Sequence, residues 1–317
     1  MDTVLVVGGA GAVGSQLCNS LHEGGYDVIC MDITDPNDAH GVRHLLDKEN
    51  FQYVRHSSTH SFKANCKYIY HFASLTDSLF SNAERPVEVM KTEWLGLMNT
   101  LEAALQNGAT VIYGSSSSVY AYRNGDFNTT FPSAHIKSAC EALCYSYFKE
   151  YKVDVKIARL FETYGCGMTP DDQRIIPRMV VAALRNSDII IRDTKGQLRT
   201  FCWVGDIVRG VTALAERTEK SHGFEIMNFG GKESITLDEL ARKIVNMTHS
   251  HSRIIHEPRP SQYSISQVAD TSHTQQRLDW NPEVSLDEGL GYIIEHLDKR
   301  LKVESSIYKC ESWIEFY

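Results

Sequence analysis

The chain has 317 residues, of which 42% are hydrophobic and 23% charged, a composition typical of a globular protein. Its formal net charge of −8 argues against a partner that is a nucleic acid or an anionic membrane. No apolar run is long enough for a transmembrane helix, and a strand predicted at the start leaves no room for a secretory signal, so we expect a cytoplasmic protein.

The first predicted elements are a strand, a glycine-rich turn and a helix. Residues 4–7 are β-branched and apolar, which predicts a buried parallel strand. Gly8, Gly11 and Gly14 follow, and apolar residues then recur at helical spacing. Glycine permits positive φ and lets backbone N–H groups approach a pyrophosphate at the start of a helix. The spacing differs from the common G-x-G-x-x-G fingerprint, so the glycines alone also allow tight packing without a ligand.

A carboxylate at the end of the second predicted strand favours dinucleotide binding. Residues 26–31 predict that strand, and Asp32 closes it. A carboxylate in this place can accept both ribose hydroxyls and would repel a 2′-phosphate, so the expected cofactor is NAD rather than NADP. The alternative role for Asp32 is that of a turn residue at the end of the strand.

The first half of the chain alternates strands with helices, which predicts a doubly wound parallel sheet of the Rossmann type. Further strands are expected at residues 51–54, 68–73, 109–113 and 155–159, and helices at 87–106 and 136–150. We therefore predict an α/β fold with an NAD-binding domain at residues 1–165, completed by elements that return from residues 200–230.

From about residue 165 the pattern loosens, and residues 166–302 are expected to form mainly a smaller α/β C-terminal lobe for the substrate. Predicted helices span residues 176–184, 207–215 and 237–247, and predicted strands span 189–191 and 224–229. Thr236 and Glu239 are placed to form a capping box at the last of these helices. Residues 303–317 form an aromatic-rich tail, which docks either on the body of the protein or on a second subunit.

Polar residues at the end of the fifth strand are candidates for chemistry. The run from Ser115 to Ser118 places hydroxyls at the crevice, although a polar turn would use the same residues. Lys137 lies near the start of the next predicted helix, with Glu141 one turn later. The alternative for these two is a solvated pair of opposite charges. The eight cysteines are scattered without a C-x-x-C pair, so we expect neither a metal site nor a disulfide framework.

Taken in order, these motifs resemble the extended short-chain dehydrogenase/reductases, in the branch that acts on nucleotide-diphosphate sugars. The resemblance covers roughly residues 3–300. Its motifs are Gly8-x-x-Gly11-x-x-Gly14, Asp32, His71-Phe72-Ala73-Ser74, Ser115-Ser116-Ser117-Ser118-Val119-Tyr120, Lys137-x-x-x-Glu141, Arg159-x-x-x-x-Tyr164-Gly165, Arg199-Thr-Phe-Cys-Trp-Val-Gly-Asp206, Asn228-Phe-Gly230, Asp270, Leu278-Asp-Trp280-Asn-Pro282 and Leu286-Asp-Glu-Gly289.

The resemblance implies a mechanism. A tyrosine four residues before the helix lysine takes a proton from the sugar 4-hydroxyl while NAD accepts a hydride from C4. Lys137 would hold the nicotinamide ribose and lower the pKa of that tyrosine, and Ser116 would share the hydrogen bond to the hydroxyl. Arg199 and Arg259 match positions that hold the diphosphate. The cofactor contacts implied are Gly8, Gly11, Ala12, Val13, Gly14, Asp32, Ala73 and Lys137.

The sequence departs from this pattern at the proton-transfer machinery. Ser133 stands where the tyrosine belongs, and a serine hydroxyl is too weak an acid to carry the proton without another base. Glu162, a candidate substrate contact, and Glu93 each replace an expected asparagine. His56-Ser57 replaces an aspartate that touches adenine. Tyr120 or Tyr122 would have to swing in from the preceding loop to supply a phenol.

Ser117 and Ser118 replace the acids that follow the catalytic serine or threonine in dehydratases and decarboxylases of the family. The first hypothesis is therefore an NAD-dependent epimerase or 4-oxidoreductase, with Ser116, Lys137 and Ser133 at the catalytic centre.

Two alternatives remain open. One is a catalytically silent member that binds NAD or a sugar nucleotide as a sensor or partner protein. The other is an enzyme that uses a different base, with Glu162 or Cys140 as candidates. From the resemblance alone, we expect a homodimer built from helices 87–106 and 136–150.

Overall fold

The computed structural model describes residues 1–75, 85–121, 132–192, 196–217, 223–257 and 268–311. The strands are β1 (Thr3–Val7), β2 (Asp27–Asp32), β3 (Phe51–Arg55), β4 (Tyr68–His71), β5 (Thr110–Ser116), β6 (Val155–Leu160), β7 (Glu162–Tyr164), β8 (Ile189–Ile191), β9 (Leu198–Trp203), β10 (Phe224–Phe229), β11 (Ser234–Thr236) and β12 (Ile254–His256). The helices are α1 (Ala12–Glu23), α2 (Pro86–Asn107), α3 (Pro132–Tyr151), α4 (Ile175–Leu184), α5 (Val204–Glu216), α6 (Leu237–Met247), α7 (Ser272–Leu278) and α8 (Leu286–Glu311). Short 3-10 helices span Arg43–Leu45 and Ser117–Ala121.

The main sheet has seven parallel strands in the order β10-β6-β5-β4-β1-β2-β3 among the described residues. Side chains of α1 and α5 pack on one face of this sheet, and those of α2 and α3 pack on the other. Strand order reverses between β1 and β4, which is where doubly wound sheets open a crevice for ligands. The predicted fold class, an α/β doubly wound sheet, is confirmed.

The residues after β6 build a second layer with its own core. A three-stranded sheet, β11-β9-β7, and the pair β12-β8 pack with α4, α6 and α8 around a third hydrophobic cluster. The predicted capping box is present at the start of α6: Glu239 N–H donates to Thr236 Oγ1 at 3.2 Å, and Thr236 N–H donates to Glu239 Oε2 at 2.9 Å.

Several boundaries differ from the sequence predictions. Helix α3 begins at Pro132 rather than residue 136, which brings Ser133 into its first turn. Helix α8 continues to Glu311, so the predicted tail boundary at residue 302 falls inside a helix, and residues 312–317 lie outside the described part. Strand β9 was not predicted, because its six residues mix charged, polar and aromatic side chains without a clean alternation.

The buried residue Asp206, at the start of α5, hydrogen-bonds to the segment around Trp280. Trp280 donates from Nε1 to the Asp206 carbonyl at 2.9 Å, and Val284 N–H donates to Asp206 Oδ2 at 3.0 Å. The guanidinium of Arg209 donates to Asp206 Oδ1 at 2.8 Å. Asp206 therefore joins the last helix of the main sheet to the loop that leads into α8.

Across the described residues, no helix has both the length and the apolar content that a membrane crossing requires.

Asp206→Ala is expected to lower the free energy of unfolding by about 2–4 kcal/mol, because it leaves the Val284 amide and part of the Arg209 charge without an acceptor. Chemical denaturation measures this change. Glu283→Ala is the control: Glu283 also pairs with Arg209, at 3.3 Å, but is 73% exposed, and such a pair contributes about 0–1 kcal/mol. Equal losses in the two variants would contradict the role assigned to Asp206.

Candidate functional site

The glycine-rich turn allows a close approach of backbone that no other residue would tolerate. Gly8 has φ of 83°, and a Cβ built there would lie 2.5 Å from the Ala73 nitrogen. A Cβ at Gly14 would lie 2.1 Å from the Gly8 carbonyl oxygen. Substitution at either position would push β1, β4 and α1 apart, so the glycines hold the three elements that converge on the turn.

The start of α1 is open to an anion. Gly11 precedes the helix, is exposed, and provides no side-chain cap for the first-turn amides. Ala12 and Val13, the first two helical residues, are half-buried. First-turn N–H groups have no intrahelical acceptor and carry the positive end of the helix dipole. This arrangement suits a pyrophosphate.

Asp32 both shapes a turn and faces the crevice. Its Oδ1 accepts the Thr34 amide at 3.0 Å and the Thr34 hydroxyl at 2.9 Å, and its Oδ2 accepts the Ala10 amide at 2.9 Å. A carboxylate has about four lone-pair positions, so it retains capacity for a ribose hydroxyl. The two roles that the sequence left open for Asp32 are compatible.

A cleft of about 890 Å³ lies between the glycine turn, the ends of β2 to β4 and the start of α2. Gly8, Gly11, Asp32 and Ala73, four of the predicted cofactor contacts, line this cleft. His56, Ser57 and Ser58 also line it, so the replaced adenine-contacting position does face the same space. The cleft has room for the adenosine half of a dinucleotide.

Lys137 lies beside β5, near the edge of the main sheet where the strands have their carboxyl ends, and is almost fully buried. This edge is called the carboxyl edge. Its Nζ donates to the Gly114 carbonyl at 2.9 Å and lies 2.9 Å from Glu93 Oε2, with the ammonium 4.9 Å from the centre of the Tyr113 ring. The exposed fractions of the Lys137 and Glu93 side chains are 7% and 0%. The alternative of a solvated pair between Lys137 and Glu141 is therefore wrong, because Lys137 turns inward to α2.

Glu93 is held on both sides. Its Oε1 accepts a short hydrogen bond from the Ser74 hydroxyl, and its Oε2 contact with Lys137 is electrostatic rather than a well-aligned hydrogen bond. Ser74 also lines the cleft. Glu93 thus links the rim of the cleft to the lysine, a connection that the sequence marked only as a replaced asparagine.

Glu141 takes a different partner. It accepts both Arg159 Nε, at 2.9 Å, and Arg159 Nη2, at 2.6 Å, together with the Ser115 hydroxyl at 2.6 Å. This bidentate pair raises the pKa of Arg159 further above its usual range. Arg159 Nη1 donates to the Tyr120 hydroxyl, which in turn donates to Asn228 Oδ1, both at 2.8 Å.

Ser116, Ser133 and Tyr120 are among the described residues expected to handle the proton. Ser116 Oγ accepts the Ser118 amide at 3.1 Å. Ser133 lies half-buried in the first turn of α3, one turn before Lys137. The Tyr120 hydroxyl, which the sequence offered as a substitute, is held by Arg159 and Asn228. Tyr122 lies outside the described residues.

Two buried groups near Lys137 are poor proton carriers at neutral pH. Burial, with a smaller contribution from the Lys137 charge, lowers the pKa of His71 to about 3. Burial raises the pKa of Cys140 to about 11, which disfavours the thiolate and argues against this cysteine as a base. Among the described residues, no group of three or more His, Cys, Asp or Glu side chains is arranged to hold a metal ion.

Two of the predicted substrate contacts meet each other. Arg199 Nη1 donates to Glu162 Oε1 at 3.1 Å, and the two side chains are 12% and 25% exposed. Glu162 follows β6, whose Leu160 pairs with Ser116, so this ion pair lies at the same carboxyl edge as the serine. Arg259 lies outside the described residues.

Comparison with known proteins identifies a matching family and several similar proteins. The sequence profile of the NAD dependent epimerase/dehydratase family matches residues 4–230. UDP-glucuronic acid decarboxylase 1 of Danio rerio is 29% identical over 315 residues, 96% of this chain and 74% of that protein. The structure of MoeE5 in complex with UDP-glucuronic acid and NAD superposes with a TM-score of 0.80 at 26% identity, covering 93% of this chain and 98% of that one.

UDP-glucuronic acid 4-epimerase from Bacillus cereus, solved with UDP-glucuronic acid and NAD, superposes with a TM-score of 0.83 at 24% identity. The superposition covers 94% of this chain and 99% of that one, and supports the fold.

We expect the chain to bind NAD at least about tenfold more tightly than NADP, because the Asp32 carboxylate repels a 2′-phosphate. Asp32→Asn removes that charge and is expected to reduce the preference about tenfold, measured by calorimetric titration with both dinucleotides. Asp35→Asn is the matched control, since Asp35 pairs with the exposed Arg55. An unchanged preference in Asp32→Asn would contradict the assignment.

Proposed function

The chain belongs to the NAD-dependent epimerase/dehydratase family, and from this premise we propose that it transforms a UDP-sugar by hydride transfer at the sugar C4. One observation carries the proposal: the glycine turn, Asp32, Ser116 and Lys137 all lie along one carboxyl edge of the sheet. UDP-sugars are the ligands named for MoeE5 and for the Bacillus cereus epimerase.

The residues present fit an NAD molecule. Gly8 and Gly14 leave room where a Cβ would collide with backbone, and the first-turn amides of α1 would bind the pyrophosphate. Asp32 would bind the adenosine ribose, and Lys137 the nicotinamide ribose. When bound, NAD supplies a hydride acceptor and donor for C4.

The same residues suggest how the sugar is held. The Ser116 hydroxyl would orient the sugar 4-hydroxyl, and Arg199 would bind the diphosphate while sharing its guanidinium with Glu162. Ser117 and Ser118 stand where family decarboxylases carry acids. We therefore propose epimerisation or 4-oxidoreduction rather than decarboxylation, although the Danio rerio relative is named a decarboxylase.

A second candidate function is binding without turnover, as a sensor or partner protein. Ser133 supports it, because a serine at this position cannot exchange a proton at neutral pH without a base. Two candidates for the missing base are poorly suited to proton transfer. The Tyr120 hydroxyl is held by two partners, and the pKa of the Cys140 thiol is raised. Glu162, the remaining candidate base, is paired with Arg199.

Purified protein loaded with NAD and mixed with a panel of UDP-sugars is expected to show reduced nicotinamide by absorbance. Lys137→Ala is expected to lower the rate by at least about 100-fold, because it removes the group that positions the cofactor at the proton-transfer site. Arg253→Ala, which removes a surface partner of Asp188, is the control and should leave the rate unchanged.

The Ser133→Tyr variant separates the two candidate functions. If no sugar reduces NAD in the native chain but one does in this variant, the chain is a binding protein and the enzymatic proposal is wrong. Native activity that Lys137→Ala abolishes would support the enzyme.

We also propose a homodimer formed by α2 and α3, which pack against each other. Support comes from apolar side chains left in solvent on α2, where Met90 is 42% and Leu105 38% exposed, and on α3, where Tyr145 and Tyr151 are each about half exposed. A four-helix arrangement with a second copy would bury these side chains.

We further propose a cytoplasmic location, which the free thiols of the described cysteines support.

Met90→Glu is expected to convert the dimer into a monomer, because it places a charge in the proposed apolar interface; sedimentation velocity gives the mass. Val303→Glu on α8, where Val303 is 58% exposed, serves as control and should remain dimeric. A monomeric native chain, or a dimer that survives Met90→Glu, would refute this interface.

A further inference from the structure

We propose that Glu93 is the counter-ion that cancels the charge of Lys137, and that it thereby favours the oxidised over the reduced form of the bound nicotinamide. The inference rests on the proposed NAD site. Glu93 touches neither the cleft surface nor solvent, so it acts through Lys137 as a positioning residue.

The geometry defines a closed ion pair. Lys137 Nζ lies 2.9 Å from Glu93 Oε2 and also donates to the Gly114 carbonyl, while the Ser74 hydroxyl fixes the opposite oxygen of Glu93. Both side chains are excluded from water. In such surroundings water screens charges weakly, so a full unit of charge at Lys137 would act strongly on any group bound nearby.

The charges around the pair do not alter this balance. His71 is neutral at pH 7 because burial lowers its pKa to about 3, and burial raises the pKa of Cys140 to about 11. Burial also keeps the Tyr113 hydroxyl protonated by raising its pKa. Glu141 on α3 also lies close to Cys140, but its charge is paired with that of Arg159. Lys137 and Glu93 likewise form a pair with a net charge of zero.

The consequence follows from the charge of the nicotinamide. The oxidised ring carries one positive charge, and addition of a hydride cancels it. A lysine without a counter-ion beside the ring would repel the oxidised form and leave the reduced form unaffected. By cancelling that repulsion, Glu93 lets the site retain the oxidised cofactor.

The test is a charge series measured without any sugar. Dissociation constants for NAD⁺ and NADH are determined by calorimetric titration for the native chain and for Glu93→Gln, Lys137→Gln and the double variant. These give net charges at the pair of zero, plus one, minus one and zero. Glu225→Gln is the matched control, since it removes a carboxylate from a different ion pair, that of Arg277, which has no role in the proposed site.

We expect Glu93→Gln to weaken the binding of NAD⁺ relative to that of NADH by about tenfold. For a two-electron couple this is about 30 mV in the potential of the bound cofactor. Lys137→Gln is expected to shift the ratio the opposite way, and the double variant to return close to the native ratio. Damage to packing alone would weaken both forms equally and leave the ratio unchanged.

An unchanged ratio in Glu93→Gln would overturn the inference, as would a double variant that matches Glu93→Gln. If Glu93→Gln fails to fold, Lys137→Gln and the double variant still differ by the same carboxylate, and equal ratios in those two would overturn it. Failure of UDP-sugars to reduce NAD would refute the enzymatic function but leave this result standing. A native chain that binds neither form overturns both.

Discussion

The site depends on the contact between the glycine turn and the strand beside it. Gly8 lies against the backbone of Ala73, and Gly14 lies against Gly8, at distances that exclude any Cβ. This contact sets where α1 begins relative to β4, and Ala10 and Gly11, which lead into α1, line the cleft. It also brings the Ala10 amide to Asp32. Because the contact joins backbone to backbone, no side-chain rotation could relieve a Cβ placed there.

Away from that turn, the carboxyl edge is organised by ion pairs. Lys137 lies against Glu93, Arg159 against Glu141, and Arg199 against Glu162. Taking a cation out of water is costly unless a carboxylate and hydrogen bonds compensate it, and each of these pairs supplies both. A ligand with negative charge therefore meets cations that are already compensated. The diphosphate of a sugar nucleotide would have to share Arg199 with Glu162. The pyrophosphate of NAD would instead meet backbone amides at the start of α1, where no side chain caps the helix.

The sequence predicts the fold well because its signals are local. A strand, a turn and a helix in succession define the start of the sheet, and the capping box of Thr236 and Glu239 lies within four residues. The pairing at Lys137 could not be predicted in this way. Helical spacing suggested Glu141 as its partner, but tertiary packing gives each residue a partner on another element, Glu93 on α2 and Arg159 on β6. Sequence identified the replaced asparagine at Glu93 and offered no signal for what it contacts.

Ser133, Lys137 and Glu93 are best understood as one unit. No phenol stands four residues before the lysine, and without Glu93 the lysine would be a buried cation held by the Gly114 carbonyl and the Tyr113 ring, a state several kcal/mol less favourable than a compensated one. Glu93 supplies that compensation from the buried face of α2, without lining the cleft. The lysine is therefore held in place by contacts that do not depend on proton transfer. Charge balance with Glu93 therefore accounts for a buried lysine at this position without reference to proton transfer.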